Sequence, residues 1–286
     1  MVAPAFRAAL CGVMVILLCT SSFAGEEQPM PQPASPASRT EPSVELNREY
    51  FTGYWTDTKT ILTSPARWDS RDWLEASLVL GTGVALFTVD ENIQTWVQKH
   101  KNASTGRISD DAKKTGTLAV PAVAALGIYG YAAGDGKAKS TFLLSVESFL
   151  VTGVFVQTLK HTTGRHRPYT GDSHDTWSGP SFSSDNDHMS FPSGDASSAF
   201  AIASVVASEY DNLYVSAVVY TASTFIGLSR IHNNAHWTSD VFTGSAIGYY
   251  TGRAIVASHR DGNASRLSLA PYLDGKERGV MATYRF

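Results

Sequence analysis

The sequence predicts an all-α fold, a six-helix core bundle followed by a short C-terminal β-hairpin. Two observations carry this. Six apolar segments of helix length fill nearly half of the chain beyond residue 70: Trp73–Val89, Gly116–Ala133, Thr141–Leu159, Ala196–Ser208, Leu213–Leu228 and Val241–Ser258. Ala, Gly and Ser recur in them, the composition of helices that approach one another closely. Two-residue alternation, the mark of a strand, is confined to the end of the chain. There Leu267–Tyr272 and Gly279–Phe286 flank Asp274-Gly275.

The elements follow in order. Arg7 is the only charge before Gly25, Ala8–Cys19 is apolar, and Ser22-Phe23-Ala24 ends in small-residue style. Residues 1–24 therefore read as a secretory signal peptide cut after Ala24. This places the protein in the cell envelope, either periplasmic or membrane-associated. A retained anchor is the weaker alternative, because the apolar run is short for a span. Cys11 and Cys19 are the only cysteines and both lie in this segment, so no disulfide is expected after cleavage. Leu18 before Cys19 argues against lipid attachment there.

Residues 25–45 carry five prolines among Ser, Glu and Gln and read as a disordered linker. Residues 46–70 form a peripheral aromatic segment with one or two short helices. Residues 71–258 are the helical domain, and 259–286 the β-ribbon. Within the domain, 90–114 reads as a solvated, charged excursion, and 169–190 as a long loop where a lid would sit. Glu75, Glu147 and Arg253 interrupt apolar runs, and mean hydropathy is only −0.10. Both favour helices buried in a soluble bundle over membrane spans. The charge-free run Gly116–Ala133 keeps membrane insertion open as the alternative. The net charge of −3 argues against a nucleic-acid partner.

Three short motifs carry the chemistry. Lys160 is followed by Arg167-Pro168 near the end of a helix, which Pro168 is expected to stop. Fixed cations of these two kinds stabilise the equatorial oxygens of a transferring phosphoryl group. Pro192-Ser193-Gly194 precedes an apolar helix, with Ser193 placed as N-cap and Gly194 allowing close backbone approach. Helix-start N–H groups bind phosphate. Ser229-Arg230 is followed by His236 and, four residues on, Asp240. A carboxylate on one imidazole nitrogen leaves the other free to attack phosphorus. Taken singly, each motif has a bland reading: a basic helix end, an ordinary helix start, a stabilising His–Asp pair.

Together, and in this order, the three motifs resemble the signatures of the type 2 phosphatidic acid phosphatase superfamily. That group includes lipid phosphatases, bacterial class A acid phosphatases and vanadium haloperoxidases, and its core is a six-helix bundle. The resemblance implies His236 as nucleophile and Asp240 as its orienting partner. It implies Lys160, Arg167, Ser193, Gly194 and Arg230 as phosphate ligands. No metal or other cofactor is implied. The departure is Asp195, which stands where the family has a histidine acting as general acid. An ionised carboxylate donates no proton and repels a phosphate dianion. His188 and His232 are the nearest substitutes in the sequence.

The resulting expectation is a phosphatase acting through a phosphohistidine. Its substrates would be phosphomonoesters or pyrophosphates, lipid-linked ones (phosphatidic acid or isoprenoid pyrophosphate) ahead of small phosphoesters, with activity weakened by Asp195. A catalytically impaired phosphate- or phospholipid-binding relative is the first alternative, and a soluble non-specific acid phosphatase the second.

Overall fold

The computed structural model describes residues 44–181 and 185–263, and the backbone of 267–274 and 277–284. The signal peptide and nearly all of the Pro-rich linker lie outside the described residues.

Seven α-helices occur among the described residues. They are α1 (Arg48–Thr63), α2 (Ser70–Lys99), α3 (Ala103–Ala133), α4 (Gly136–Thr163), α5 (Gly194–Tyr210), α6 (Leu213–His232) and α7 (Thr238–Asn263). Their starts are chemically marked. Asp69 and Asp72 form a reciprocal capping box on α2, and Asn102 and Thr105 do the same on α3. Asp135 accepts from Ala138 N at the start of α4, and Asn212 from Tyr214 N and Val215 N at the start of α6.

Two expectations about boundaries are corrected here. Gly164, not Pro168, ends α4: it takes the left-handed conformation at φ 62°, and a Cβ there would lie 2.5 Å from Gly179 O. The excursion over 90–114 is largely solvated as expected, but it is made of two helix ends rather than a separate segment. α2 continues to Lys99 and α3 begins at Ala103, so most of these charged residues are helical. Asp90 is fully buried.

Helix α5 is the centre of the bundle, packed on α4, α6 and α7. Its seam with α7 is made by glycines one turn apart. A Cβ would stand 2.5 Å from Ser193 O at Gly244, 2.1 Å from Ser197 O at Gly248 and 2.7 Å from Ala201 O at Gly252. Backbones meet along this stripe, as small-residue helix interfaces allow.

The lean toward a soluble bundle is not supported by the outer surface. α2, α3 and α4 are long and apolar enough to cross a membrane, yet only 6%, 17% and 44% of their most apolar windows are buried. Leu74, Leu78, Leu80 and Val84 of α2 and Leu118, Val120 and Ile128 of α3 are exposed. A contiguous apolar surface of this extent marks a membrane or partner face. The charges counted against spans are accommodated: Glu75 accepts from Tyr250 Oη at 2.7 Å, and Glu147 lies 3.1 Å from His259 Nε2.

Candidate active site

Each motif sits at a helix end, and all three ends meet. Lys160 is on the last turn of α4, Ser193-Gly194-Asp195 begins α5, and Arg230 is on the last turn of α6. His236 stands just before α7 and Asp240 on its first turn. Lys160, Arg167, Gly194, Asp195, Arg230 and His236 line one cavity of about 1180 Å³. Ser193 and Asp240 are fully buried behind it.

The imidazole is oriented differently from the sequence expectation. His236 Nδ1 is 2.7 Å from the carbonyl of Ser190, while Asp240 Oδ2 is 3.8 Å away. A carbonyl can only accept, so Nδ1 carries the proton and Nε2 keeps its lone pair. Arg167 Nη1 lies 3.5 Å from that Nε2. Burial holds His236 down to about 4, against the upward pull of Asp240; Lys160 and Arg167 add to the lowering. The ring is therefore neutral at ordinary pH.

Asp240 acts on the surroundings of the ring more than on the ring itself. Its Oδ2 accepts from Ser190 Oγ at 2.5 Å and from Trp237 N at 2.9 Å. Its Oδ1 accepts from Arg165 Nη1 at 2.5 Å. The carboxylate thus fixes both Ser190, whose carbonyl sets the tautomer, and the turn that presents His236.

Arg165 was not singled out in the sequence and is the hub of this support. Its side chain is fully buried and pairs with both Asp240 and Asp90, the latter at 2.8 Å. It also donates to Ser239 Oγ and His174 O. Phe87, Trp177 and Trp237 present ring faces to its guanidinium at 4.8–5.6 Å. Asp90 in turn accepts from Ser239 N and Ser239 Oγ. A signal was present: Arg165-His166-Arg167 places three basic residues after a helix end, more than one phosphate needs. Asp90 closes the apolar run Val84–Val89, an odd place for a carboxylate that faces water.

The cations are held before any ligand arrives. Arg167 donates from Nε to Asn186 O at 2.8 Å and from Nη2 to Asn186 Oδ1 at 2.7 Å, so the 169–190 loop positions it. Lys160 Nζ donates to Met189 O. Arg230 Nε is 3.0 Å from Asp195 Oδ2, an ion pair lying off hydrogen-bond alignment. Asp195 itself is 56% exposed. Ser193 occupies the N-cap position of α5, but its side chain makes no cap bond and its Oγ is buried without a partner. Its amide donates to Asp240 O at 3.0 Å, tying α5 to α7. The substitutes for Asp195 lie elsewhere: His188 stacks on His166 at 4.1 Å, and His232 Nε2 is 3.3 Å from Thr105 Oγ1. Neither is among the cavity-lining residues.

Residues 141–263 match the model of the PAP2 superfamily. The lipid A 1-phosphatase of Porphyromonas gingivalis is 30% identical over 179 residues, 61% of this chain and 36% of that protein. The chain thus spans about a third of the length of that curated relative. Two solved structures are similar, each with a TM-score of 0.46: LpxE of Aquifex aeolicus and the first transmembrane PAP2 type phosphatidylglycerolphosphate phosphatase from Bacillus subtilis. The former is 22% identical and covers 59% of this chain and 95% of its own; the latter is 14% identical and covers 76% and 96%.

Proposed function

We propose that the protein, whose residues 141–263 match the PAP2 superfamily model, is a membrane-embedded lipid phosphatase working through His236. The observation that carries this reading is the neutral imidazole on the cavity wall, its Nδ1 proton held by Ser190 O and its Nε2 beside Arg167. Nε2 attacks phosphorus, the bond to the leaving oxygen breaks, and water then releases phosphate from the phosphohistidine. Lys160, Arg167, Arg230 and the Gly194 amide hold the equatorial oxygens through the transition state. Asp240 positions the ring through Ser190 and the 236–238 turn.

A lipid substrate is favoured by the shape of the cavity. Its wall continues onto Val120 of α3 and Leu150 and Val154 of α4, all exposed on the outer face. With α2, α3 and α4 spanning a bilayer, that opening lets an acyl or isoprenoid chain reach the phosphate cradle from the side. We take α2–α7 as the six-helix core, with α1 outside it. The antiparallel backbone pairing from Leu267↔Tyr284 to Asp274↔Glu277 supports a C-terminal ribbon.

Asp195 shapes the substrate class. A carboxylate paired with Arg230 accepts hydrogen bonds and does not donate a proton. Leaving groups that depart as stable anions are therefore favoured, phosphoanhydrides such as isoprenoid pyrophosphates over alkyl phosphate esters. The same ion pair supports the second reading, a phosphate-binding relative without turnover.

The test is phosphate release by detergent-solubilised protein. The panel is an isoprenoid pyrophosphate, phosphatidic acid, a lipid A 1-phosphate and a chromogenic phosphoester. Turnover of the pyrophosphate that His236→Ala abolishes, with the alkyl esters rising in Asp195→His, is the expected pattern. Activity surviving His236→Ala would sink the proposed nucleophile. A wild type inert on every substrate, alongside an active Asp195→His, would replace the enzyme reading with the binding one.

A further inference from the structure

A second cluster of ionisable side chains lies far from the phosphate cradle. Asp57 of α1, Glu147 of α4 and His259 of α7 bring one ligand atom each to within 4.8 Å of one another. His259 Nε2 is 3.2 Å from Asp57 Oδ2 and 3.1 Å from Glu147 Oε2. Glu147 is thirteen residues before Lys160 on the same helix, about 20 Å along its axis at 1.5 Å per residue. His259 is nineteen residues beyond Asp240 on α7, about 28 Å by the same measure. The cluster therefore plays no part in the attack on phosphorus.

Its internal chemistry is incomplete. The two carboxylate side chains are 0% and 6% exposed. Only one proton on Nε2 can serve them both. Ser258 Oγ donates to Asp57 Oδ1. Glu147 Oε1, on a fully buried side chain, has no hydrogen-bond partner. A carboxyl oxygen left without a partner in a buried site is costly. A divalent cation removes the mismatch: it neutralises two carboxylates and takes neutral imidazole as its third ligand.

The spacing suits such an ion. Bonds of about 2.0–2.2 Å at tetrahedral angles place ligand atoms roughly 3.3–3.6 Å apart. The two measured separations fall just short of that, so slight outward relaxation admits the metal. One imidazole with two carboxylates favours a borderline first-row ion over Mg²⁺ or Ca²⁺, which prefer all-oxygen shells.

We propose that Asp57, Glu147 and His259 form a structural binding site for a divalent transition cation, Zn²⁺ foremost, which staples α1 to α4 and α7. A water completes the tetrahedron.

The test uses the full chain in detergent, carrying an affinity tag without histidine. The protein is stripped with chelator, incubated with Zn²⁺, passed through a desalting column and analysed for metal by mass spectrometry. One zinc per chain in the wild type is expected, with at least a tenfold loss in His259→Gln and in Asp57→Asn. Zn²⁺ should raise the melting midpoint of stripped wild type and leave both variants unmoved. Co²⁺ in place of Zn²⁺ should give the visible absorption of a tetrahedral centre. Absence of stoichiometric zinc in wild type overturns the proposal, as does equal zinc in the variants. A wild-type midpoint indifferent to both chelator and Zn²⁺ also overturns it and leaves a hydrogen-bonded triad.

Discussion

Removing Asp90 tests the support beneath the site without touching the cavity. In Asp90→Ala, Arg165 Nη2 loses its 2.8 Å carboxylate partner and keeps only His174 O, and Ser239 N and Oγ lose their shared acceptor. Arg165 and Asp90 are both fully buried, so no solvent replaces what is lost. Breaking one side of such a pair costs about 3–5 kcal/mol, because the remaining charge stays buried. At roughly 2–4 °C per kcal/mol for a domain of this size, the midpoint should fall by about 6–20 °C. Activity should fall as well, because Arg165 also holds Asp240 at 2.5 Å and Asp240 holds Ser190 and the Trp237 amide. The double variant Asp90→Leu/Arg165→Met removes both charges together and should lose clearly less than the sum of the single variants. Intrinsic-fluorescence melting in detergent measures all three. An Asp90→Ala midpoint within about 1 °C of wild type, or strict additivity in the cycle, would refute the network reasoning.

Three further outcomes follow from the geometry. In the proposed mechanism His236 attacks in its neutral form, and with its pKa lowered to about 4 the imidazole should remain competent as pH falls from 7 to 5. An unperturbed ring of pKa about 6.5 would be only about 3% neutral at pH 5; a kcat/KM profile that drops through 6.5 and vanishes by 5 would count against the buried nucleophile. The same shift makes the unfolded chain bind the proton first. The stability His236 contributes is present above about pH 6.5 and lost as pH falls to about 4, about 3 kcal/mol in all; denaturation of wild type and His236→Ala at pH 7 and 4.5 compares them. Gly248→Ala should force α5 and α7 apart, since its Cβ would lie 2.1 Å from Ser197 O. Overpacking of this kind costs about 1–3 kcal/mol or more, and a midpoint equal to wild type would contradict the backbone contact.

The sequence made the helices legible because apolar runs of twelve or more residues have few other solutions. It hid their ends. The charged stretch after Val89 reads as solvent-facing, yet the buried partner of Asp90 is seventy-five positions away at Arg165. No local pattern announces a pair that distant. The proposed cradle was legible for a different reason: phosphate needs particular side chains at helix ends, and helix ends leave marks in sequence. Ser190 escaped notice because its contribution to the imidazole is a carbonyl, which every residue has. The choice between soluble and membrane-facing helices turned on Glu75, Glu147 and Arg253, whose charges counted against spans. The structure gives Glu75 a tyrosine hydroxyl, Glu147 an imidazole and Arg253 a tyrosine ring face at 5.6 Å. Tyr250 and His259 sit on a different helix from the carboxylates they serve, and such partners cannot be read from hydropathy.

The glycine stripe on α7 has a geometric consequence. Ser193 opens α5 and Asp240 lies on the first turn of α7, and the two are joined through Ser193 N. Three backbone contacts behind them, at Gly244, Gly248 and Gly252, act as detents: sliding one helix by half a turn, about 2.7 Å, would break all of them at once. The distance between the start of α5 and the imidazole is therefore set by how two rods are notched together. It owes nothing to the Asp211-Asn212 connection at the far end of α5, where added residues should leave the spacing intact. The chemistry is gauged by a rigid seam, and the connecting chain is free to change.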